Sequence, residues 1–166
     1  MKFSEVIGQQ EVQERLVQMV KEDRLPHAMM LCGPAGSGKM ALAVAFGCYL
    51  LDLKDNTDPY AQTEHPMLAK LEHPDLHFTY PTIKLPSMSS DHKPVSDDFA
   101  REWHELIMQG PYFTLDQWLT AIGAENQQAI ITAGESDELV RKLSLKSSQG
   151  GYKVSLIWLP ERMNIE

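Results

Sequence analysis

Hydrophobic positions change their period twice within the first quarter of the chain. Over residues 8–22, Val12, Leu16, Met19 and Val20 recur every three to four positions among polar neighbours, the spacing of one helical stripe. Arg24-Leu25-Pro26 breaks that pattern. Residues 28–32 (Ala-Met-Met-Leu-Cys) are then wholly apolar and stop at Gly33-Pro34, which predicts a short strand buried on both faces. From Gly38 the pattern is helical again, rich in alanine, and is expected to continue to about Leu51.

Residues 52–66 are polar and rich in turn formers, and 68–71 close with a helical turn. His73-Pro74-Asp75 leads into a second strand over 76–80. Pro81, Pro86, Pro94 and a serine cluster between them predict a long loop. Ser96-Asp97-Asp98 marks a helix start, with Phe99, Trp103, Leu106 and Ile107 on one face. Short helices follow over 116–122 and 136–146, the latter expected to turn Leu139, Leu143 and Val140 inward. Gly150-Gly151 turns the chain into a third strand over 152–159, which Pro160 ends. Strands separated by helices predict a parallel sheet in an α/β sandwich.

Composition narrows the function classes. At 166 residues the chain suits one domain with a real core. Its net charge of −8 opposes binding to a nucleic-acid backbone by this chain alone, so positive surface must come from elsewhere if DNA is involved. The longest apolar run, 40–53, is too short for a membrane span, and the first residues carry no apolar signal core, so the cytoplasm is the expected location. Cys32 and Cys48 are expected to be reduced, Cys32 buried in its apolar run. Trp103 and Trp118 sit on apolar helical stripes and are expected to pack in the core. Arg141, Lys142 and Lys146 form a small basic patch, read first as a solvated face and second as a partner contact.

The chemistry-bearing segment is Gly33-Pro34-Ala35-Gly36-Ser37-Gly38-Lys39-Met40. It follows an apolar run and opens a helix. Glycines let the backbone turn so that its N–H groups converge on a phosphate, the helix start adds partial positive charge, and a lysine reaches the outer phosphates. The position after the lysine should carry a hydroxyl for magnesium, and here it is Met40, whose thioether cannot serve a hard cation. The third strand should end on an acid, and here Trp158-Leu159-Pro160 follows it, with Glu161 the first carboxylate. The loop is thus expected to hold a nucleotide phosphate or another anion without magnesium, if it binds at all, and not to hydrolyse ATP. Ser37 can touch a phosphate oxygen, but no base stands at a readable spacing to make it a nucleophile.

Several segments together resemble the bacterial clamp-loader subunits of DNA polymerase III, of the delta-prime kind, within the AAA+ P-loop family. They are Phe3 to Gln9, Arg24-Leu25-Pro26-His27-Ala28, His73-Pro74-Asp75-Leu76-His77, Lys153-Val154 and Pro160-Glu161-Arg162-Met163-Asn164. The resemblance implies a RecA-like three-layer sandwich around a parallel sheet. It implies a rigid, poorly hydrolysing subunit that contacts an ATP-binding neighbour and the delta subunit, and through them the sliding clamp and primed DNA. No cofactor is then required. An active P-loop ATPase, or a degenerate AAA+ scaffold in another DNA-processing complex, would share much of this chemistry.

The resemblance also sets two further expectations. Such subunits often carry a four-cysteine zinc module between the loop helix and the second strand. Here that interval offers Cys48 alone, with Asp58, Tyr60 and Glu64 where the others tend to stand, and the spacing of His65, His73 and His77 fits no ligand pattern, so no zinc is expected. The family's sensor strand, arginine-finger segment, lid and collar would follow Glu166, so residues 1–166 are expected to be the N-terminal part of the AAA+ module, its sheet incomplete at the C-terminal end. In the family order a further strand separates the first from the third. The resulting slot is expected to be filled by another chain or a swapped segment, or closed by the first strand shifting to pair with the third.

Overall fold

The computed structural model describes residues 1–61 and 65–164. Its helices are α1 (Gln10–Lys21), α2 (Lys39–Asp52), α3 (Pro66–Ala69), α4 (Ala100–Gln109), α5 (Leu115–Ala121) and α6 (Ala133–Ser144). Two strands, β1 (Leu76–Thr79) and β2 (Val154–Ile157), pair in parallel, and short 3-10 turns lie at Phe3–Glu5, Ser96–Phe99 and Pro160–Arg162. These elements fall within a few residues of those predicted, apart from the strand over 28–32.

α2 is the central element because its sequence is apolar nearly all round, and a helix of that kind must be covered on every side. On one side Phe3, Val6, Leu16 and Val17 pack against Ala41, Leu42, Ala45, Phe46 and Tyr49. On another, Val44 and Cys48 join a larger cluster built on Tyr80, Phe99, Trp103, Ile107 and Trp118. The sheet rests on α2 at Gly47. A Cβ there would stand 3.2 Å from Val154 Cγ1 and 3.6 Å from Leu76 Cδ1, so the bare backbone lets the strands approach.

The register pairs Leu76 with Val154 and Thr79 with Ile157. It is extended at each end by the Val154 N–H donating to Asp75 O and the Trp158 N–H donating to Thr79 O, both at 2.8 Å. β2 stops short of the expected residue 159 because Leu159 adopts a left-handed conformation (φ 56°), which turns the chain toward Pro160. Thr82 and Ile130 form an isolated antiparallel bridge, and Ile131 and Met163 a parallel one. The fold is therefore α/β with a small parallel sheet, compatible with a P-loop-like domain. With two paired strands described, the expected three-layer sandwich, incomplete at its C-terminal end, is present only in part.

Three expectations need correction. Residues 28–32 are not a buried ladder strand. They make no backbone hydrogen bond among the described residues, and Met30 is 75% exposed. Leu25 and Leu31 do pack against the cluster on α2, but no described strand lies beside this segment to satisfy its N–H and C=O groups, so the polar backbone faces water. Nor does the segment shift to pair with the third strand, whose partner is β1. Cys32 is exposed with it, while Cys48 is buried; both thiols are free.

The third correction concerns α6. It begins at Ala133, earlier than predicted, and leaves Val140 and Leu143 exposed. The cause is Glu135, whose buried carboxylate accepts the Ser96 N–H at 2.6 Å and the Thr79 hydroxyl at 3.1 Å. This polar anchor, and not the leucines, sets which face of α6 meets the sheet. Among the described residues no helix is long and apolar enough to cross a membrane.

Candidate phosphate-binding site

The glycine-rich segment forms an exposed loop that feeds directly into α2. Gly36 and Gly38 adopt φ values of 76° and 80°, a region that side-chain-bearing residues rarely enter, and Gly38 is the N-cap of the helix. Gly33, Pro34 and Ala35 are exposed, and Ser37 closes a loose turn through its N–H to Pro34 O at 3.4 Å. The N–H groups of residues 36 and 38–40 have no backbone acceptor among the described residues. They are the donors that a glycine loop and helix start present to an anion.

Lys39 folds back over this loop. Its ammonium donates to Gly33 O at 2.8 Å and Pro34 O at 2.6 Å, with Ser37 Oγ at 3.4 Å. Two side chains outside the motif also reach it. The Gln9 carboxamide donates to Ser37 O at 2.8 Å, which ties the start of α1 to the loop. The Tyr112 ring lies beside Gly38, with Cε1 3.5 Å from where a Cβ would stand, and its phenol oxygen accepts the Ile7 N–H at 2.7 Å.

Met40 packs against the aromatic cluster, and so does Trp158. The Trp158 ring lies 5.1 Å from Phe113 and 5.5 Å from Trp103. Both side chains serve apolar packing. Neither side chain has an oxygen to offer, so this donor set does not fit a magnesium ion.

Other candidates lose their functional reading. Trp103 and Trp118 are core residues, and the Trp118 indole N–H donates to Pro81 O at 2.8 Å. Arg141 pairs with Glu138 and Lys142 with Asp97, so two of the three cations in the basic patch are engaged within the chain. Burial pushes the Cys48 thiol pKa up, which keeps it protonated. His65 and His73 rings lie 5.1 Å apart, yet no group of three metal-ligating side chains forms among the described residues; Glu64 lies outside them. Sequence reasoning missed the side chains of Gln9 and Tyr112 at the loop, because Gln9 meets Ser37 across 28 positions and Tyr112 meets a more distant Gly38, contacts that leave no local pattern.

Fold and site together define an α/β module with a phosphate-type loop at the start of a central helix, where neither Met40 nor Trp158 offers an oxygen ligand. The chain belongs to the family described as DNA polymerase III, delta subunit, whose model matches residues 8–166. That makes it a member of the polymerase III clamp-loader family. No curated protein and no solved structure matches it.

Proposed function

We propose that this chain is a clamp-loader subunit of the delta-prime kind: an AAA+ P-loop module that does not hydrolyse ATP and helps load the sliding clamp on primed DNA. The observation that carries the reading is the packing of Met40 and Trp158 into one aromatic cluster. Phosphoryl transfer needs a metal to spread the developing charge, and these two positions are where the loop helix and the third strand would hold it. The retained N–H donors at 36 and 38–40 support a site for a phosphate or nucleotide without magnesium. Partners are other clamp-loader subunits, an ATP-binding neighbour and the delta subunit. The clamp and the DNA are reached through them, since a net charge of −8 makes this chain a poor direct ligand for DNA. Neither zinc nor another cofactor is required.

ATP turnover by the purified protein, with and without magnesium and beside a Lys39→Ala control, tests the first part. Turnover equal to the control is expected; magnesium-dependent turnover above it would make the chain an active ATPase. Co-purification with the other clamp-loader subunits tests the second. Zinc measured on protein prepared without chelator should fall well below one equivalent per chain.

A further inference from the structure

Tyr112 occupies a place that its own packing does not require. Its neighbour Phe113 is anchored in the core, 5.3 Å from Trp103 and 5.1 Å from Trp158. Tyr112 itself lies outward, beside the loop. There the ring is still 43% exposed. It lies against Gly38, one of the residues whose N–H is unsatisfied, and its phenol oxygen holds the Ile7 N–H at 2.7 Å. Gln9, two residues on from Ile7, holds Ser37 O from the same side. The Lys39 ammonium is meanwhile taken up by the loop's own carbonyls, Gly33 O and Pro34 O.

We propose that Tyr112 is a clasp that keeps the phosphate loop closed, so that a phosphate group, free or carried by a nucleotide, binds only when the Tyr112 ring moves aside. The inference rests on the reading of 33–40 as a phosphate site. An anion drawn to the N–H groups of 36 and 38–40 must recruit Lys39 away from the two carbonyls. It must also share the space beside Gly38 with the ring. Tyr112 can leave cheaply: one hydrogen bond to a backbone N–H passes to water, and Gly110 (φ 138°) provides a pivot at the end of α4. A closed state that outweighs the open one lowers the apparent affinity by the same ratio, so removing the clasp raises affinity without adding any contact.

The test titrates the full chain with inorganic tripolyphosphate and with ATP, both in EDTA. Tyr112→Ala is expected to bind both probes at least about tenfold more tightly than the unaltered protein. Tyr112→Phe, which keeps the ring but loses the bond to Ile7, should gain less. In the unaltered protein, saturating tripolyphosphate should speed hydrogen exchange at the Ile7 amide, a readout that needs no substitution at Tyr112. Equal affinities for Tyr112→Ala and the unaltered protein, with Lys39→Ala weakening both, would sink the clasp and leave the phosphate site standing. A gain for ATP but not for tripolyphosphate would also overturn it, since the ring would then be blocking the base. If neither protein binds either probe, the clasp and the phosphate site fall together.

Discussion

Trp158 meets Phe113 edge to face, with ring centroids 5.1 Å apart and planes 70° from parallel. The residue directly after β2 is thereby committed to packing. Trp158→Ala should lower unfolding free energy by about 2 kcal/mol, less than a fully buried tryptophan because this one is half-buried. Trp158→Asp should cost more, since it adds a charge to an apolar cluster. The double variant Met40→Thr, Trp158→Asp should still show no magnesium-dependent ATP turnover above Lys39→Ala. Urea unfolding and a phosphate-release assay decide this, and a stable double variant that turns over ATP would refute the packing argument.

Glu135 is the polar counterpart of that cluster. Its carboxylate accepts the Ser96 N–H and the Thr79 hydroxyl, while the Ser96 hydroxyl accepts the Tyr80 N–H at 3.1 Å. Glu135→Ala strands two buried donors and should cost about 2–4 kcal/mol. Glu135→Gln should recover only part of that, because one amide edge donates where an acceptor is needed. Denaturant midpoints of the two variants check the order.

Buried Asp75 and half-buried His77 both make stability depend on pH. Burial acts to raise the pKa of Asp75, but hydrogen bonds from the Ser147 hydroxyl, from the Ser148 N–H and hydroxyl, and from Gln149 outweigh it and hold the carboxyl below the ordinary 3.8. The unfolded chain therefore binds this proton first as pH falls. Its contribution is complete above 3.8 and is lost as pH drops through the lower folded value.

His77 is held below its ordinary 6.5 by burial first and then by Lys142 and Lys153, against weaker opposing pulls from Asp75 and Asp97. Here too the unfolded chain takes the proton first. Stability is complete above 6.5 and declines as pH falls from there. Unfolding free energy measured from pH 8 to 3 should thus fall in two windows. His77→Gln should flatten the upper one and Asp75→Asn the lower; a slope unchanged in either variant would remove that group from the account.

Most elements were legible in the sequence because their signals are local. The stripe on α1, the alanine-rich start of α2, the serine-aspartate start ahead of α4 and the apolar strands at 76 and 154 each show within a few residues. So do the glycine loop and the absence of oxygen ligands at Met40 and Trp158. What could not be read depends on distant partners. Glu135 finds Ser96 39 positions away and holds α6 with Val140 and Leu143 outward. Tyr112 reaches Ile7 across 105 positions. Residues 28–32 misled for a different reason: an apolar run predicts what a segment needs around it, and a strand forms only where a neighbour can pair with it.

That segment supports the last prediction. Residues 28–32 make no backbone hydrogen bond among the described residues, and Met29 and Met30 are exposed, while 76–79 and 154–157 hold each other in a ladder. Amide hydrogen exchange of the isolated chain should therefore be nearly unprotected at 28–32 and slowest in the two strands, since protection follows hydrogen bonding and burial. An exposed apolar stretch with unpaired backbone groups is also a template for pairing with another strand. Adding the other clamp-loader subunits should raise protection at 28–32 by orders of magnitude if a partner strand docks there. Replacing Met30 by lysine leaves the backbone free to pair, so it should preserve that gain, whereas a proline at the same position removes an N–H and should abolish it. Protection at 28–32 already high in the isolated chain would mean that the segment pairs with itself in a second copy, and the size of the protein in solution would then show a dimer.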